Sequence, residues 1–236
     1  MTAAADLRIP VALPAGVVEV SAALTEASEA WAFVALAHGA GAGYRHPFLH
    51  GFAEGLQREG VTTLRFNFPY VEAGRRMPGP ATHAVATWRA VHLWLREQAG
   101  EVRTFAAGKS YGGRMASMAA AEGVIAPAGL VYLGYPLHPP GSPDKTRTAH
   151  LPEVVAPQLF VEGTNDPFID PHEQLLDAVA SCRDARIAWV DGGGHSFEVK
   201  GRRRPADEVA ADLAPVVAGW MRSLHEMSTV AGAADA

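Results

Sequence analysis

Phe105-Ala106-Ala107-Gly108-Lys109-Ser110-Tyr111-Gly112-Gly113 is the stretch on which the reading of this chain turns. It is an apolar run, then a serine with glycines at minus two and plus two, then the small-residue segment Arg114 to Ala121. The pattern is G-x-S-x-G, which predicts a serine on a sharp strand-to-helix turn with its hydroxyl pushed out of the fold. Side chains at Gly108 or Gly112 would press on the neighbouring strand or helix. Val102 to Ala107 reads as a short buried strand, and Arg114 to Ala121 as a helix thin enough to pack on a sheet. The backbone N–H of Tyr111 then lies at the positive end of that helix, aimed at an anion.

Gly108-Lys109-Ser110 is also the tail of the phosphate-binding pattern G-x-x-x-x-G-K-S. The first glycine of that pattern would fall on Arg103, whose bulk replaces the residue that lets a backbone curl round phosphate. The chain has 236 residues, 48% of them hydrophobic and 19% charged, which fits one domain over 1–236 with a substantial core. A net charge of −5 argues against nucleic acid as a partner. No apolar run approaches the roughly 18 to 20 residues that span a bilayer, and the N-terminus shows no secretory signal. The single cysteine, Cys182, cannot form an internal disulfide, which fits a cytoplasmic location. No sequence signature sets an oligomeric state.

Outward from the serine, strand and helix signals alternate. Leu7–Val11 and Val17–Leu24 predict antiparallel edge strands, since Pro10 is tolerable only at an edge. Trp31–Ala37 reads as a central strand, followed by the loop His38-Gly39-Ala40-Gly41-Ala42-Gly43. These glycines do not make a dinucleotide fingerprint, because no helix begins at them and Tyr44–Pro47 intervenes. They make a loop with exposed backbone N–H groups, which His38 braces. Phe48–Gly60 is a helix, Val61–Phe68 a strand, and Thr82–Gln98 a helix whose Val85, Trp88, Val91 and Leu95 stripe is core packing. Tyr70, Arg75 and Arg76 lie at the carboxyl end of the Val61–Phe68 strand, where ligands sit in parallel sheets. Gly129–Tyr135 and Gln158–Gly163 are strands, with the short Pro-rich loop His138–Arg147 between them, too short for a large cap. Asp170 is expected to cap a helix that opens at Pro171. Arg186–Val190 is the last strand. A C-terminal helix is expected from about Pro205 to Glu226, with Val209, Leu213, Val216, Val217 and Trp220 inward and a frayed tail from Met227.

The alternation predicts an α/β fold: a doubly wound, mostly parallel sheet. Ser110, Asp166 and His195 each follow the carboxyl end of a strand. A serine hydroxyl is a poor nucleophile at neutral pH and needs a base within hydrogen-bond reach. His195, on the glycine-rich loop Asp191–Phe197, is the base, and Asp166 is the acid that fixes its tautomer. His138 and His150 are the rival bases. Asp170 and Asp191 are the rival acids, one better used as a helix cap and the other too close to His195 in sequence to reach behind it. No His, Cys or Asp cluster has metal-ligand spacing, and no cofactor is implied.

As a set these motifs resemble an α/β-hydrolase of the dienelactone-hydrolase-like kind, and more closely the family that includes the testis-expressed protein thirty group. The matching pieces are Leu36-Ala37-His38-Gly39-Ala40-Gly41-Ala42-Gly43, Arg65–Tyr70, Gly108–Arg114, Tyr135–His138, Gly163–Phe168 and Gly194–Phe197. The resemblance implies a Ser110/Asp166/His195 triad and does not imply a substrate. The order serine, acid, histidine is that of the fold, in which the loop after the third strand supplies a second oxyanion donor, here the N–H of Ala40 beside that of Tyr111. His38, Tyr70, Tyr135 and His138 are candidate pocket residues. Dienelactone hydrolases proper use a cysteine nucleophile, and this position is Ser110. The expected activity is hydrolysis of a small-molecule carboxylic ester or thioester through an acyl-enzyme. The alternatives are an interaction protein on the same fold with weak turnover, or peptidase, acyltransfer or perhydrolysis chemistry on the same three residues.

Overall fold

The computed structural model describes residues 5–234, with side chains from Asp6 to Leu224. The strands are β1 (Ala5–Leu13), β2 (Gly16–Thr25), β3 (Ala32–Ala37), β4 (Val61–Phe66), β5 (Arg103–Lys109), β6 (Leu130–Leu133), β7 (Gln158–Gly163) and β8 (Ala185–Val190). The helices are α1 (Pro47–Arg58), α2 (Pro69–Glu72), α3 (Ala81–Ala99), α4 (Tyr111–Ala121), α5 (His172–Ser181), α6 (Ala206–Ala211) and α7 (Ala214–Ala234), with a short 3-10 turn at Leu151–Glu153.

The strands form one sheet in the order β1-β2-β4-β3-β5-β6-β7-β8. β1 and β2 are antiparallel, β2 runs antiparallel to β4, and β3 through β8 are parallel. Pro10 thus lies in the outermost strand, whose outer side needs no ladder partner. The inner strands read as unbroken apolar runs because both faces are covered. Alternate residues go to opposite faces. On one face Ala35, Ala106 and Tyr132 pack with Trp88, Val91 and Leu95 of α3 and Met115 of α4. On the other, Val34, Leu36, Phe105 and Val131 pack with Phe48, Phe52 and Leu56 of α1 and Val217 and Met221 of α7. The connection from β6 to β7, residues 134–157, carries only the 3-10 turn as regular structure, and among the described residues no large cap covers the carboxyl edge.

Four local expectations need correction. Pro171 has an extended backbone, φ −82° and ψ 147°, so it occupies the cap position itself and α5 begins at His172. Asp170 is therefore not the cap. The C-terminal helix is two helices, broken at Asp212–Leu213. Pro215 explains the break: inside a continuous helix its ring would meet the carbonyl four residues earlier, whereas in the first turn of α7 no such carbonyl is present. The buried stripe of α7 is Ala214, Val217, Ala218, Trp220, Met221 and Leu224, which leaves Val216 52% exposed, not inward. The backbone of α7 stays helical to Ala234, through most of the segment expected to fray, and residues 235–236 lie outside the described residues.

Candidate active site

The carboxyl edge of the sheet is where β5, β7 and β8 hand their chains to loops. Ser110 follows β5 with φ 49° and ψ −114°, a conformation that costs a non-glycine residue energy and that the surrounding packing imposes. The packing is tight. A Cβ at Gly108 would sit 2.2 Å from the backbone nitrogen of Gly113, and one at Gly112 would sit 2.6 Å from the carbonyl oxygen of His38. Both glycines exist so that α4 can press against β5 and β3. Ser110 holds the cap position of α4 yet makes no side-chain cap bond, so its hydroxyl is left for another partner.

That partner is His195. Its Nε2 is 2.8 Å from Ser110 Oγ, and its Nδ1 is 2.6 Å from Asp166 Oδ2. With the Nδ1–H donating to the carboxylate, Nε2 is left to accept from the serine. Asp166 is buried, and its Oδ1 accepts from the Phe168 N–H at 2.8 Å. The acid loop and the histidine loop are stitched together: Asn165 N–H donates to Gly193 O at 2.8 Å, and Gly192 N–H to Thr164 Oγ1 at 2.8 Å. Phe168 stacks on the His195 ring with centroids 4.1 Å apart. Burial holds the His195 pKa below its ordinary value, against the opposing pull of the Asp166 carboxylate. Ser110 and His195 open on a cavity of about 310 Å³ that Ala40, His46, Phe48 and Phe168 also line.

A model of the alpha/beta hydrolase domain matches residues 30–222. The chain belongs to that family. Solved α/β-hydrolases are similar over nearly the full length. A dienelactone hydrolase from Anabaena variabilis has 21% identity and a TM-score of 0.72, covering 94% of this chain and 99% of its own. An α/β serine hydrolase without lid from Xanthomonas campestris has 20% identity and a TM-score of 0.69, covering 93% and 96%. The esterase domain of a Rhodothermus marinus protein has 15% identity and a TM-score of 0.67, covering 93% and 98%. Likeness at these identities establishes the fold.

Within this α/β-hydrolase fold, the other expected site residues fall in different places. His38 is fully buried; its Nδ1–H donates to Gly39 O at 2.7 Å and its Nε2 accepts from Phe68 N–H at 3.2 Å. It holds the Ala40 loop against the end of β4, and burial takes its pKa down to about 4. Tyr135 is fully buried, its hydroxyl donating to Arg147 O at 2.9 Å. His138 is also fully buried, with Nδ1 2.9 Å from Pro139 O. None of these three lines the cavity at Ser110: each follows a strand end, but its side chain turns into the core. Tyr70 and Arg75 line a neighbouring cavity of about 230 Å³ that Tyr111 borders. Of the rival bases, His150 is taken up by Ser117, at 2.7 Å. Among the described residues no group of three or more His, Cys, Asp or Glu could hold a metal ion, and no helix is long and apolar enough to cross a membrane.

Two residues were missed by sequence reasoning. Lys109, the last residue of β5, is 8% exposed, and its Nζ donates to His195 O at 2.7 Å. Burial brings its pKa down to about 8. Glu162 in β7 is fully buried; its Oε1 accepts from Tyr135 N–H at 2.6 Å, and burial raises its pKa well above the ordinary range. The available signal was a charged residue at the end of an otherwise apolar strand, a position that water does not solvate.

Proposed function

We propose that this protein is a serine hydrolase of the carboxylesterase class, cleaving a small carboxylic ester or thioester through an acyl-enzyme without a cofactor. The observation that carries the reading is one imidazole bridging Ser110 at 2.8 Å and Asp166 at 2.6 Å, at the mouth of a cavity. Ser110 Oγ attacks the acyl carbonyl while His195 Nε2 takes its proton. Asp166 holds the Nδ1–H and stabilises the imidazolium that forms. The carbonyl oxygen becomes an anion, and the N–H groups of Ala40 and Tyr111 receive it. The imidazolium then gives its proton to the departing alcohol or thiol. Water enters and attacks the acyl carbon while His195 takes its proton; the Oγ–acyl bond breaks, the acid leaves, and the imidazolium returns the proton to Ser110 Oγ.

The cavity of about 310 Å³ is at the small end of the range for ligand sites, which supports a small acyl substrate. The serine nucleophile separates the protein from the cysteine-based dienelactone hydrolases. The resemblance of the motif set supports kinship with the testis-expressed protein thirty-like hydrolases. The single cysteine supports a cytoplasmic setting. Wild-type protein and Ser110→Ala assayed on p-nitrophenyl acyl esters of graded chain length test the reading. Turnover of the shorter esters by wild type and its loss in a folded Ser110→Ala are expected. Equal turnover by the two proteins would reject the serine mechanism. Absence of turnover by both would favour an interaction role on this fold.

A further inference from the structure

A buried ammonium next to the nucleophile has no part in the steps above. Lys109 ends the strand that carries Ser110, and its Nζ donates at 2.7 Å to the main-chain carbonyl of His195, 86 positions along the chain. The space beneath the imidazole is shaped around that contact. Gly134 has φ +71°, and a Cβ there would stand 2.9 Å from His195 O and 3.1 Å from Lys109 Nζ. The Phe197 ring lies 5.7 Å from Nζ, and Phe197 itself has φ 66°. The turn after His195 is closed by Gly194 N–H to Glu198 O at 2.9 Å and Phe197 N–H to Gly194 O at 2.9 Å. An ammonium taken out of water needs compensating partners, and the His195 carbonyl is the one it is hydrogen-bonded to.

We propose that Lys109 is a positioning residue, whose ammonium fastens the loop carrying the base to the strand carrying the nucleophile. The idea rests on the serine-hydrolase reading for its kinetic consequence, but not for the tether itself. The groups facing Lys109 are Glu162 of β7, Asp166 of the acid loop, His195 and Glu198 of the histidine loop, and His46 ahead of α1. Asp166 and Glu198 favour its charged form, as does Glu162 when ionised. That charge in turn disfavours imidazolium at His195, while Asp166 and Glu198 favour it. Lys109 thus fixes where the imidazole sits and also helps to keep it unprotonated before reaction.

Lys109→Met removes both donor and charge, Lys109→Gln keeps a donor without charge, and Lys109→Arg keeps both. Circular dichroism checks the fold, an activated acyl ester gives kcat and KM, and NMR of the histidine side chains follows His195 titration without substrate. Lys109→Met is expected to lower kcat roughly ten- to a hundredfold with little change in KM, as a misplaced base does. His195 titration is expected to rise by roughly one pH unit on loss of the cation. Lys109→Arg is expected to restore most of kcat and the original titration. If Lys109→Met does not fold, Lys109→Gln decides: it is expected to raise the His195 titration with a smaller loss of kcat. A folded Met or Gln variant with unchanged kcat and unchanged His195 titration would overturn the proposal. If Ser110→Ala retained turnover the hydrolase reading would fall, while the NMR titration would still test the tether.

Discussion

Two serine–histidine pairs of nearly equal length sit in this molecule: Ser110 with His195 at 2.8 Å, and Ser117 with His150 at 2.7 Å. They differ in everything except distance. Ser110 is on a strained turn, faces a cavity, and keeps its hydroxyl free of the backbone. Ser117 is fully buried inside α4, and its hydroxyl donates to Arg114 O at 2.8 Å. His150 must therefore donate to Ser117, the reverse of what a base does. Behind His195 stands the Asp166 carboxylate. Burial, with the Arg114 guanidinium beside the ring, takes the His150 pKa down to about 4, so it keeps its one N–H and does not take up a second proton near neutrality. A nucleophile is made by the direction of the proton and by what stabilises it after transfer, not by proximity alone.

The largest expected contrast is between the two serines. Ser110→Ala is expected to lower kcat on an activated acyl ester by a factor on the order of a million, as removal of a triad serine does. Ser117→Ala is expected to leave kcat within about twofold and to cost roughly 1 kcal/mol of stability, read from urea unfolding. Next in size is the acid. Asp166→Asn keeps the shape but offers the imidazole the wrong tautomer, and a loss of about ten-thousandfold in kcat is expected. A much smaller loss would mean that the carboxylate does not govern His195.

Acid sensitivity sharpens the comparison further. In the proposed mechanism His195 acts as a base only when neutral, and burial holds its pKa below 6.5. Activity is therefore expected to rise with pH through a limb centred below 6.5 and to be level at neutrality, as a kcat/KM profile would show. A limb above 6.5 would mean that Asp166 and Glu198 outweigh burial and Lys109. The smallest effect concerns stability. His38, at about 4 in the folded protein against 6.5 unfolded, binds fewer protons folded than unfolded between those values. His92 and His150 behave alike. Stability is thus present above 6.5 and lost as pH falls toward 4. Melting temperatures across that interval are expected to fall, and His150→Gln, which leaves the triad alone, is expected to lessen the slope.

Much of this was legible in the chain. The sheet could be read because inner strands such as Ala32–Ala37 are apolar on both faces while helices such as α3 carry a one-sided stripe. The three residues that meet at its edge could be read because each follows a strand, within a glycine context that allows a sharp turn. Side-chain direction after a strand end could not be read. Tyr135 and His138 stand at the same edge as Ser110, yet their side chains go into the core, and only the packing of β6 against its neighbours decides that. Lys109 was hidden for a different reason. Its partner is a main-chain carbonyl on a loop far along the chain, and a carbonyl has no signature in sequence. The break before α7 was readable after all, in Pro215.

The most direct test is covalent labelling of the folded wild-type protein with a fluorophosphonate, followed by mapping of the modified peptide. A single adduct on Ser110 is expected, with Ser117 unmodified and the labelling rate falling steeply in His195→Ala. No adduct on Ser110, or an equal rate in His195→Ala, would contradict a serine activated by that imidazole.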